Sequence, residues 1–467
     1  MKIKNYKLKI EKLGFLSFPL IFIASLILFY PSLSYYFFQD DWFVLNWVRT
    51  GNFWDLLKFR TDIIYWRPLA MPIFFKIGQI FFGLNPTGYH LIVFVFHLIN
   101  SLLVYYLFRT LKFSKVISFV LFLMYATASF HFVPLSWLST TSYVIGPTFI
   151  FATLILLLKN KLLLAFFPFL AALLSSELSI VVIPMALVLK KLERSTFVKF
   201  VPFVIVLIIY LAIRLLIFRP PVTGQYEIMF NWQILRSLFW YFVWFFNVPE
   251  VTSTIFFFSQ LKSSIVALVP FTKYLLLPLI LIISFVPLVL FTKQDIKMLI
   301  RGFGLFAIGL FPIIFFPKHV YPMYLVVASI GIFYILGMVF EKARNSLLLG
   351  FFVILWLVSS FLALSFYRVS HWLVNEQAIS KAYVSYLKEM VSNPPLGSVF
   401  VFKDANIDFA RRYNFVLVET ENTLRLALND QDAPQVVYND STLKSIHKTF
   451  PQNSFTVNQV YEVFPRE

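Results

Sequence analysis

The chain has 467 residues, of which 60% are hydrophobic, 20% aromatic and only 13% charged, and its mean hydropathy is +0.80. A soluble core of that size would carry more charge and clear amphipathic alternation, so the composition excludes an ordinary soluble domain. There is no cysteine, which removes disulfides, thiolate nucleophiles and cysteine metal sites, and the net charge of +18 is placed in a way that argues against nucleic acid. Residues 1–370 carry 31 Lys and Arg against 11 Asp and Glu, whereas 371–467 carry 9 against 11. The basic excess lies in short loops between apolar runs, as the positive-inside rule expects. Those runs recur at roughly 17–25 residues, the length of a helix that crosses a bilayer. The fold class is therefore an all-α polytopic membrane protein.

In chain order, residues 1–12 hold five lysines and are expected in the cytoplasm. A first helix over about 14–34 follows. Ser32-Leu33-Ser34 is a weak cleavage site, and an uncleaved helix is the preferred reading. The first external loop runs over 35–87. It contains the adjacent acids Asp40 and Asp41 and an apolar stretch, 69–82, bounded by Pro68 and Gly83, that is expected to lie along the interface. Helix two spans 88–108, helix three 116–131 and helix four 142–158. Residues 162–189 form one apolar run with Glu177 inside it. Two short helices meeting near Ser175-Ser176-Glu177 keep Lys190, Lys191, Arg194 and Lys199 in the cytoplasm, so two are expected.

Helix seven covers 200–218. The stretch 219–271 is a second large external loop, with Trp232–Asn247 as an interfacial helix, because a span there would turn Lys293, Lys297 and Arg301 outward. Helices over 272–291, 302–316, 321–340 and 346–366 complete a count of about eleven, with the N-terminus inside and the C-terminus outside. Residues 371–467 form a small extracytoplasmic α/β domain. It has an amphipathic helix to about Val391 and strands at Ser398–Lys403, Phe415–Glu419 and Gln435–Tyr438.

Acids are scarce here, so two side by side at a membrane surface point to chemistry. The plainer alternative is that one of them caps an interfacial helix. His90 and His97 lie on one face of helix two. His90 sits at its external end, where it could touch a ligand, while His97 suits an interhelical hydrogen bond. Glu177 is either a loop-tip charge or a cavity group. Arg67 and Lys318 are the external cations suited to a phosphate, with His319 as a hydrogen-bond donor; snorkelling at the interface is the plainer alternative for both cations.

Several stretches together resemble a known family: Trp66-Arg67-Pro68-Leu69, then Phe82-Gly83-Leu84-Asn85-Pro86-Thr87-Gly88-Tyr89-His90-Leu91, then His97-Leu98-Ile99-Asn100, after an acidic pair. The pattern resembles the protein O-mannosyltransferase-like branch of the GT-C glycosyltransferases, closest to the transmembrane-and-tetratricopeptide type and its bacterial relatives. Ser176-Glu177 and Tyr321-Pro322-Met323-Tyr324-Leu325 are further echoes. Helix six usually opens with Lys-Glu in that family, Lys318-His319-Val320-Tyr321 stands where Arg-Tyr is usual, and the tetratricopeptide tail is absent.

The resemblance implies a polyprenyl-phosphate sugar donor taken from the membrane, attack by an acceptor hydroxyl on the anomeric carbon, and inversion. It implies Asp40 as base, with Asp41 orienting the acceptor or stabilising the sugar's positive charge. The site set expected is then Asp40 and Asp41 for catalysis, and Arg67, His90, Glu177, Lys318 and His319 for substrate and donor phosphate. No cofactor is predicted. The acid pair could accept a divalent metal, but the closest resemblance is to metal-independent enzymes. The partners expected are the lipid-linked donor, membrane lipid and a hydroxyl acceptor (protein, lipid or glycan), in the plasma membrane. The competing classes are a transporter or flippase of lipid-linked saccharide, and an inactive assembly protein. A transporter would put ionisable groups mid-helix and show related halves.

Overall fold

The computed structural model describes residues 18–60, 62–190, 194–217, 224–292, 294–343, 346–402, 407–412, 416, 423–447 and 460–463. The lysine-rich stretch 1–12 and most of the strand expected at Phe415–Glu419 lie outside them. Among the described residues, six helices are long and apolar enough to cross a membrane: Pro86–Thr110, Leu138–Leu158, Val198–Ile217, Phe258–Phe291, Pro322–Ala343 and Leu347–Ser370. Lys115–Thr127 and Ser129–Ser136 pass the same test as a pair bent by 46°. Phe18–Ser34, Leu69–Phe82, Leu162–Leu173 and Glu177–Leu189 are apolar but shorter.

Local chemistry sets the boundaries. Asn85 accepts a hydrogen bond from Thr87 N at 3.1 Å, and Pro86, which has no N–H to lose, opens the helix Pro86–Thr110. Ser114 caps Lys115–Thr127 in the same way through Ile117 N. That helix was expected to run to 131 but stops at Thr127, because Ala128 is extended (ψ 136°). The chain then crosses the interior in short turns, 129–131, 132–136 and 138–140. Their backbone finds partners there, such as Ser129 N donating to Asn247 Oδ1 at 2.8 Å. The helix expected over 302–316 is Ile296–Leu310. It begins early because Asp295 caps it through Lys297 N, and Pro312 cannot extend it.

Pro322–Ala343 is the central helix, with 94% of its apolar window buried, whereas Val198–Ile217 lies at the edge with only 17% buried. Small residues let the central helix meet Ile296–Leu310 closely. A Cβ on Gly331 would stand 2.3 Å from Phe306 N, and one on Gly309 would stand 2.5 Å from Ala328 Cα. Gly146 does the same beside Ser176, where an added Cβ would come within 2.6 Å of the serine Cβ. That contact seats the turn carrying Glu177 directly against the helix Leu138–Leu158.

After His371 the helix Trp372–Met390 leads into a three-stranded sheet. Its strands are β1 (Val399–Phe402), β2 (Lys444–His447) and β3 (Val460–Val463), ordered β2-β1-β3 and all parallel, with Val399 in register with Lys444 and Val460. Gln435–Tyr438, read from the sequence as a strand, is instead the end of a helix, Asp432–Tyr438. Asp432 complements its N-terminal dipole, Pro434 lies in the first turn where no N–H is needed, and Asn439 at φ 54° closes it.

Candidate active site

A short helix, Asp40–Thr50, begins at the acid pair and buries Trp42, Val44, Leu45 and Val48. This burial separates the two carboxylates. Asp41 turns inward: its Oδ1 accepts from Ser139 N at 2.7 Å and Ser139 Oγ at 2.6 Å, and its Oδ2 accepts from Phe38 N at 3.3 Å. Burial pushes its carboxyl up to about 7 against the pull of those three bonds, and the neighbouring Asp40 charge adds to the rise. Asp40 turns the other way, into a cavity of about 750 Å³. Among the described residues none hydrogen-bonds its carboxyl. It is open to the cavity yet walled by protein, and that enclosure raises its pKa.

Arg67, Glu177 and His319 line the same cavity. Arg67 enters from the loop before Pro68. Its Nε donates to Glu177 Oε2 at 2.6 Å, Nη1 to Ser142 Oγ at 2.9 Å and Nη2 to Tyr143 OH at 3.2 Å. The guanidinium also lies 4.7 Å from the Tyr65 ring centroid. Glu177 opens its turn behind Ser176, whose hydroxyl caps Leu178 N. Its second oxygen, Oε1, lies 3.7 Å from Arg214 Nη2. The cluster Arg67–Glu177–Arg214 therefore sets two guanidiniums against one carboxylate. Tyr65 and Tyr226 line the same cavity, and both feel the charges of Asp40 and Arg67.

His319 Nδ1 lies 3.2 Å from Gln225 Oε1, with its ring against Tyr226 and Tyr321. Burial lowers its pKa to about 4, helped by the Arg67 charge, so it is a neutral imidazole near pH 7. Lys318 does not line the cavity; it points to the surface and pairs with Glu227 at 2.6 Å. His90 is not in the wall either. Its two ring nitrogens sit 3.1 Å from the carbonyls of Leu135 and Tyr35, which ties the helix Pro86–Thr110 to the broken segment and the first loop. Among the described residues no group of three or more His, Asp or Glu is placed to hold a metal ion.

Sequence reading did not single out Arg214 or Tyr210, which line the cavity one helical turn apart on the edge helix. An arginine inside an unbroken apolar run was the available signal. The Tyr210 hydroxyl is buried and has no hydrogen-bond partner among the described residues. Tyr143, Tyr226, Tyr321, Tyr324 and Trp137 add an aromatic wall, and Trp372 and Leu426 reach it from the C-terminal segment, with nothing local to announce them. Leu211 and Leu215, beside Tyr210 and Arg214 on the edge helix, and Ile313 and Phe316 add apolar lining. Leu215 is also 66% exposed, so the cavity opens beside the edge helix.

No family model matches the chain, and no curated protein is similar to it.

Proposed function

We propose that this chain is an integral-membrane glycosyltransferase that moves a sugar from a polyprenyl-phosphate donor to a hydroxyl acceptor. One observation carries the reading. One cavity is lined both by Asp40, whose carboxyl has no hydrogen-bond partner among the described residues, and by an arginine pair, Arg67 and Arg214. Aromatic side chains line it too, and apolar side chains of the edge helix, Leu211 and the exposed Leu215, complete the lining. Such a site suits a reaction that removes a proton at one end and releases an anion at the other.

The chemistry follows from those positions. The acceptor hydroxyl gives its proton to Asp40 as its oxygen bonds to the anomeric carbon. The bond from that carbon to the phosphate oxygen breaks, and the lipid phosphate leaves with the electron pair. Attack opposite the leaving group inverts the anomeric centre. Arg67 and Arg214 stabilise the departing phosphate, while Glu177 keeps both guanidiniums in place before it arrives. The Tyr210 hydroxyl is a further donor on the same wall. Asp41 holds the Asp40 helix to the turn at Ser139. The aromatic rings offer faces and hydroxyls to a sugar.

The membrane arrangement that goes with this reading has eleven spans. The six long helices and the bent pair count as seven, and Phe18–Ser34, Leu162–Leu173, Glu177–Leu189 and Ile296–Leu310 supply the rest. The N-terminus is then cytoplasmic, and the site and the segment after His371 lie outside the plasma membrane.

The test is transfer by the purified protein from a panel of polyprenyl-phosphate sugars to simple hydroxyl acceptors. A glycoside of inverted configuration from at least one donor is expected. Donors that bind but are never consumed would leave an inactive lipid-binding protein instead.

A further inference from the structure

Gln39, the residue before Asp40, has φ 49° and ψ −129°. That conformation normally belongs to glycine, because a Cβ there crowds its own backbone, and it persists only where the surroundings enforce it. Three hydrogen bonds do so. Gln39 N donates to Ala427 O at 3.1 Å, Gln39 O accepts from Trp42 N at 3.0 Å, and Gln39 Nε2 donates to Glu376 Oε2. Two of those partners belong to the segment after residue 370. The same segment receives Tyr36 N on Gln377 Oε1 at 3.0 Å and Trp42 Nε1 on Ser380 Oγ at 2.9 Å. Further along the Asp40 helix, Asn46 Nδ2 donates to Asp432 Oδ1 and Gln435 Oε1, both at 2.7 Å.

Glu376 does not line the cavity. Its hydrogen-bond partner Gln39 does line it. We propose that Glu376 is a positioning residue: from the C-terminal segment it clamps Gln39 in a strained conformation, and so sets the direction in which Asp40 enters the cavity. The inference rests on the reading of Asp40 as the base. Asp40 is the first residue of its helix, so a change of dihedral at Gln39 swings its carboxylate directly. A base displaced by an ångström loses most of its advantage. Burial pushes the Glu376 carboxyl up to about 7, and an acceptor oxygen faces Gln39 in either protonation state.

Three variants of the full-length protein test this. Glu376→Ala removes the acceptor, and kcat should fall about tenfold or more while the donor KM stays within about twofold. Glu376→Gln keeps an oxygen for Gln39 Nε2 and should stay near wild type. Gln39→Gly in the Glu376→Ala background should recover most of the lost kcat, because glycine takes this conformation unaided. In parallel, hydrogen exchange of the amides of residues 39–42 should quicken in Glu376→Ala. That readout needs no sugar transfer. If the wild type transfers none, the glycosyltransferase reading fails while exchange still judges the clamp. Unchanged exchange in Glu376→Ala overturns the proposal whatever the assay gives. So does a kcat equal to wild type, or one that falls equally in the Ala and Gln variants and is not recovered by glycine.

Discussion

Arg67 Nε and Glu177 Oε2 meet at 2.6 Å across 110 residues of sequence. The pair joins the first loop to the tip between two half-length helices. With side-chain exposures of 13% and 20%, it is too enclosed to behave as a surface ion pair. Glu177 also faces Arg214, so two guanidiniums share one carboxylate.

Arg67→Ala should weaken donor binding more than Arg67→Lys, and both should be impaired. Lysine keeps the charge but loses the fork that reaches Glu177, Ser142 and Tyr143 together. Donor affinity in detergent, with a soluble short-chain donor, is the measurement, because no bilayer then anchors the loop. Wild-type affinity in Arg67→Ala would move the phosphate contact to Arg214.

Asp41→Ala should destabilise the protein by about 1–3 kcal/mol for each buried donor it orphans, the Ser139 and Phe38 groups being the ones exposed to that loss. The wild-type carboxyl has its own pH signature. Its pKa is raised from 3.8 to about 7 in the folded state. Its contribution to stability is therefore fully present below the unfolded value and is lost as pH rises through about 7. Thermal midpoints of wild type and Asp41→Asn across that window should converge at low pH and separate above it; parallel curves would remove Asp41 from the account.

Transfer should depend on pH through Asp40. A base must be ionised to take a proton, and burial raises this carboxyl above the ordinary carboxylate range. The acid limb of kcat/KM should accordingly lie above that range, with activity falling as pH falls through it. A limb at the ordinary aspartate value would mean that Asp40 is solvated during turnover.

The legible parts of the molecule were those with a local or charge-based cause. The two half-helices around Glu177 followed from keeping Lys190 and its basic neighbours on one side. The helix Ser142–Leu158 matched its apolar run at both ends. The acid pair stood out because acids are rare in this chain. Only the resemblance chooses Asp40 as the base; the residues themselves do not say which acid faces the cavity, because that depends on Ser139, 98 residues away, offering two donors to Asp41. Arg214 was masked by the apolar run that carries it. Gln435–Tyr438 has the β-branched and aromatic residues of a strand, yet Pro434 in the first turn and Asn439 at its end suit a helix, and Gln435 holds it against the Asp40 helix through Asn46. The contribution of Trp372, Glu376 and Leu426 to the site is tertiary throughout, and periodicity carries no trace of it.

The central claim is that Asp40 accepts the acceptor's proton, and Asp40→Asn tests it most directly. Asparagine keeps shape and hydrogen bonding but cannot take the proton. With donor binding and sugar transfer measured on the same purified samples, affinity should stay close to wild type while turnover drops on the order of 10²-fold or more. Near-normal turnover in Asp40→Asn, with the donor still bound, would contradict the account.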